Sequence, residues 1–178
     1  FDLSYLSDDA DKPNGEDSDP IPSGVGYMDL GETDFGHTIN CDRGLLFLHT
    51  ASSSDGCRVY DLTQDPMKPT FLFDSGGTGD CHDSMVQTDV DIGGGELADL
   101  WIISDGSTRK DTIRNIRNVD STTKDLPPAI SRTPSPGSIF AHSSTIYKKR
   151  YLFQTDENNK VDISVYDIGD VTNPQLIS

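Results

Sequence analysis

The sequence predicts an all-β fold made of repeated four-stranded units. Three observations carry that expectation. The segment "CRVYDLTQDPMKP", Cys57 to Pro69, returns as "ISVYDIGDVTNP", Ile163 to Pro174. Short apolar runs are bounded throughout by Gly, Asp, Asn, Ser or Pro, which is how strands and tight turns read. No segment holds a 3.6-residue apolar period over three turns, so helix signals are nearly absent.

The elements follow in chain order. Residues 1–34 are polar and acidic ("SDDADKPNGEDSDPIPSG") and are expected to form a loop-rich segment without periodicity. An EF-hand reading of "DADKPNGED" fails, because Pro13 takes a ligand position and Gly15 is out of register. From Phe35 the runs "TIN", "GLLFLHT", "CRVYDL" and "TFLFDS" read as four strands. The prolines of "TQDPMKP" lack ladder donors and end the third of them. The runs "HDSMVQTD", "DLWIIS", "DTIRNIRNVD" and "AISRT" read as a second set. Here Ile116-Arg117-Asn118-Val119 is matched to Val59-Tyr60-Asp61-Leu62. "HSSTIY", "KRYLFQT", "DISVYDI" and "PQLIS" form the third.

The copies start near His37, His82 and His142. His37 and His142 are 105 residues apart (142 − 37), as are Pro69 and Pro174 (174 − 69). The copy starts are 45 and 60 residues apart (82 − 37 and 142 − 82), and a four-stranded unit recurring at such intervals is the mark of propeller blades, whose faces are buried only by neighbouring blades. The expected fold is therefore a β-propeller of four-stranded antiparallel blades, about 35–78, 79–138 and 139–178. Propellers close with about four to eight blades. Three leave open edges, so further blades of the same protein or a protein partner are expected to complete it.

"VYDLTQDPMKP" and "VYDIGDVTNP" resemble the strand-and-turn consensus of LVIVD-repeat proteins, and "GHTI", "CHDSMVQ" and "AHSSTIY" are placed as in the choice-of-anchor B group. The resemblance covers about Phe35 to Ser178; the middle copy departs from it, with Asn118 where the pattern has Asp. It implies a secreted or cell-surface β-propeller, a group mostly without assigned function.

Charge narrows the partners. Lys+Arg 14 against Asp+Glu 30 gives a net charge of −16, which repels nucleic acid and anionic membrane surfaces. No apolar run approaches the roughly 18 residues of a membrane span. The chain starts at Phe1 without a signal peptide and reads as a processed product or a fragment. The cysteines are Cys41, Cys57 and Cys81; an odd count leaves one unpaired, and Cys57 with Cys81 is one candidate pair.

Two clusters are candidate sites. His37, His82 and His142 open equivalent first strands, which line the channel of a propeller, and Asp83 adjoins His82. Imidazoles in a ring suit a transition metal, with Asp83 as ligand or orienting group; the alternative is hydrogen bonding between blades. His49 reads as an ordinary strand-end residue. In "DVDIGGGELAD", Asp89, Asp91, Glu96 and Asp99 surround a glycine run, which suits calcium or else a plain hairpin insertion. There is no G-x-S-x-G elbow, P-loop, dinucleotide fingerprint or H-E-x-x-H. A binding or structural module in assembly or adhesion is the first expectation, and a metal-dependent enzyme with a His-ringed centre is the alternative.

Overall fold

The computed structural model describes residues 36–50, 56–75, 81–134, 137, 140–157 and 162–178. The acidic segment 1–34 lies outside them. Among the described residues, twelve strands form three antiparallel four-stranded sheets, each ordered as in the chain. The first holds β1 (Ile39–Asp42), β2 (Leu45–Leu48), β3 (Arg58–Asp61) and β4 (Thr70–Asp74). The second holds β5 (Cys81–Asp91), β6 (Leu97–Asp105), β7 (Lys110–Asn115) and β8 (Ala129–Pro134). The third holds β9 (Ala141–Tyr147), β10 (Tyr151–Asp156), β11 (Ser164–Asp167) and β12 (Gln175–Leu176). No helix occurs among the described residues.

Each third strand ends the same way. Asp61 Oδ1 accepts from Thr63 N at 2.8 Å, Asn115 Oδ1 from Arg117 N at 3.0 Å, and Asp167 Oδ1 from Gly169 N at 2.8 Å. The next backbone N–H, of Leu62, Ile116 and Ile168, then reaches back to the start of the second strand. A side-chain oxygen capping the N–H two residues on is a turn in its own right. This corrects the expected register of the middle copy. Ile113-Arg114-Asn115-Ile116, not Ile116-Arg117-Asn118-Val119, corresponds to Val59-Tyr60-Asp61-Leu62. The sequence writes Ile-Arg-Asn twice in tandem, and only the ladder Ile102↔Ile113 and Leu100↔Asn115 selects the first. An asparagine carbonyl oxygen accepts the bond as well as a carboxylate does.

With the register set, the packing faces repeat. In the first sheet Leu45, Phe47 and Val59 face the second sheet, where they meet Trp101, Ile103 and Ile116. Phe47 and Trp101 have ring centroids 5.2 Å apart. In the second sheet the equivalent Leu100, Ile102 and Ile113 face the third, against Leu152, Tyr166 and Ile168. Burying such side chains stabilises by about 2 kcal/mol each. In the third sheet the equivalent positions are Tyr151, Phe153 and Val165, and these stay half-exposed. The first strands lie side by side: β5 packs on β9, and β1 touches β5.

The sheets are also joined by polar and covalent links. Cys57, just before β3, is disulfide-bonded to Cys81 at the start of β5, with Cα atoms 5.3 Å apart. Cys41 is free and exposed. His49 is not an ordinary strand end. It is fully buried; Nδ1 meets Thr38 Oγ1 and Nε2 meets Ser84 Oγ, both at 2.7 Å. Ser104, at the same place in the second sheet, donates to Ser144 at 3.1 Å. The ends of the first two sheets' second strands thus bond the first strand of the following sheet.

Candidate functional site

The three strand-opening histidines come together. The ring of His82 lies 4.7 Å from that of His37 and 5.0 Å from that of His142. Phe140 meets His82 edge-on at 4.8 Å. Two glycines allow the close approach. A Cβ on Gly36, next to His37, would collide with the Leu48 side chain, and one on Gly106 would collide with the Phe140 ring. Gly106→Ala must displace Phe140 from His82 and is expected to cost about 1–3 kcal/mol. Thermal melts and the His82 ring resonances check this, and unchanged resonances would count against it.

A carboxylate joins the imidazoles. Glu157 follows β10 directly, and its N–H donates to Phe140 O at 3.3 Å. That places Glu157 beside the opening of β9. Its Oε1 lies 3.3 Å from His142 Nδ1 and 3.6 Å from His82 Nε2. The three donor atoms lie within 4.8 Å of one another. The His82 side chain is 10% exposed, His142 43% and Glu157 49%, so the group is walled on one side and open on the other. Sequence reading missed Glu157. Its equivalent in the second sheet is Gly106, since Cys81 pairs Asp105 as Ala141 pairs Asp156, so the repeat offers no acid to compare.

His37 stacks on His82 but puts no donor into this group. Asp83 follows His82 across a register shift in β5 and lies beside His49 rather than in this group. Its Oδ1 accepts from Ser84 N at 2.8 Å and lies 3.7 Å from His49 Nδ1. Of the four residues expected around a metal, His82 and His142 share a cluster of donors, while His37 flanks it and Asp83 serves the His49 side.

The acidic loop is organised around arginines. Asp99, buried, meets Arg43 at 2.6 Å and Arg117 at 3.1 Å, and its Oδ1 accepts from Asp89 N at 2.8 Å. Asp89 pairs with the same Arg117 at 2.9 Å, which holds its carboxyl below the usual range. Asp91 caps Gly93 N, and the Glu96 backbone closes the hairpin. The quartet expected for calcium is therefore split. Two guanidinium groups supply positive charge beside Asp89 and Asp99.

His49, Cys57 and Cys81 form a second compact group, wholly buried. The two sulfurs are bonded to each other and both His49 nitrogens face hydroxyls, so this group is a fastener. No family model, curated protein or solved structure matches the chain.

Proposed function

We propose that this chain is part of a secreted or cell-surface β-propeller that acts as a binding and structural module in protein assembly or adhesion. One observation carries the reading. Equivalent positions pack each sheet onto the next: Leu45, Phe47 and Val59, then Leu100, Ile102 and Ile113. Repeating one head-to-tail contact generates a ring when the rotation closes. In the third sheet Tyr151, Phe153 and Val165 remain half-exposed, with Tyr147 and Ile163 exposed nearby. A further sheet of the same repeat fits this face, whether from the same protein or another chain. The Cys57–Cys81 disulfide suits an oxidising compartment. The net charge of −16 favours basic or cationic partners.

Sedimentation of the purified chain tests this. The chain alone is expected to associate, and Phe153→Glu to abolish association without lowering the melting temperature. Electron micrographs of the associated species should show rings. A monodisperse monomer for both proteins would defeat the proposal. The alternative, a metal-dependent enzyme at the inner strands, is favoured only by the position of Glu157 between two imidazoles.

A further inference from the structure

We propose that His82, His142 and Glu157 form a three-ligand site for a divalent transition metal ion. Two ligand atoms about 2.1 Å from one ion and about 109° apart lie about 3.4 Å from each other. Glu157 Oε1 stands 3.3 Å from His142 Nδ1 and 3.6 Å from His82 Nε2. One oxygen therefore already holds ligand spacing to both nitrogens. The remaining separation, between the two nitrogens, is within 4.8 Å. Closing it takes a modest turn of the more exposed His142 ring.

The donor set defines the ion. Two neutral imidazoles and one carboxylate suit zinc, iron(II), cobalt or manganese, whereas calcium takes six or more oxygens. The ligated ion would keep one positive charge, which the field of an acidic protein favours. The surroundings fit a held site. His82 is fixed between the His37 ring and the edge of Phe140. Phe140 in turn is anchored by its N–H to Asp156 Oδ2 at 3.1 Å. The open side, at His142 and Glu157, leaves coordination positions to water or a small ligand. His37 flanks the site without ligating. The proposal goes beyond the propeller reading and needs no closed ring.

Cobalt(II) is the probe. The full chain is titrated with Co2+ and read by visible absorbance and elemental analysis, beside Glu157→Gln, His142→Ala and His37→Ala. The expected result is one ion per chain, with affinity lowered about 100-fold or more by Glu157→Gln and by His142→Ala. His37→Ala should change it by less than about fivefold. Both ligand substitutions lie at the open side, and unaltered circular dichroism would show that they fold. No saturable binding by the parent chain, or equal binding by Glu157→Gln, would overturn the site. A monomeric chain that still takes up one Co2+ would count against the ring and leave this site standing.

Discussion

Asp111→Asn is expected to expose an acid sensitivity that the parent protein conceals. Asp111 lies on β7, fully buried at the contact with the third sheet, and accepts from Ser144 Oγ. Burial pushes its carboxyl from 3.8 up to about 6, against the lowering effect of bonds from Ser144, Gln154 and Ser104. The neighbouring Asp105 pushes the same way as burial. The folded state thus holds this proton more tightly than the unfolded chain does. Its contribution is complete below about 4 and is lost as pH rises through about 6, a change of about 3 kcal/mol.

His49 does the reverse. Burial lowers its ring from 6.5 to about 4, with Asp83 opposing. Its contribution is complete above 6.5 and is lost as pH falls towards about 4, again by about 3 kcal/mol. Between about 4 and 6 the two slopes cancel in the parent chain. Asp111→Asn should leave a stability that climbs with pH across this window. His49→Gln, which can still bond Thr38 and Ser84, should leave one that falls. Denaturant unfolding at a series of pH values reads both. Parallel profiles for all three proteins would show that neither group titrates as its burial requires.

The second large effect concerns the covalent link between the first two sheets. Replacing Cys57 and Cys81 together by alanine should destabilise the chain by about 3 kcal/mol, because the bond closes a loop with a sequence separation of 24. The corresponding fall in melting temperature is roughly 10 °C. Both cysteines sit in the cluster around Trp101, so the alanines also remove some packing. A chemical reductant should reproduce most of the loss in the parent protein. Cys41→Ala serves as the control and should change little, since that thiol is exposed and unbonded. Equal melting temperatures for the oxidised and reduced parent would mean that the bond stabilises nothing.

The sequence and the structure part company at particular residues. Turn chemistry is local, so the runs from "TIN" to "PQLIS" mark where the twelve described strands fall. The sequence pattern sets the middle third strand on the second of two tandem Ile-Arg-Asn triplets, and the structure sets it on the first. The choice between them rests on the pairing of Leu100 with Asn115, a contact outside the triplet. The acidic loop left calcium and a plain hairpin both open, because the arginines that meet Asp99, Arg43 and Arg117, are distant from it in sequence. Of those two, Arg43 arrives from another sheet. His49 read as ordinary because its equivalent, Ser104, is chemically unlike it, although both bond the following sheet's first strand.

By itself, then, the sequence determined an all-β chain of three four-stranded units, each opened by a histidine. Alternation, turn residues and caps act over a few residues and are written where they act. Only the tertiary structure decided which carboxylate meets those histidines. Glu157 reaches His82 and His142 because β10 pairs with β9 and β5 packs on β9, while Asp83, past a register shift in β5, lies beside His49. Such juxtapositions depend on sheets stacking across long separations, and no local pattern in the chain encodes them.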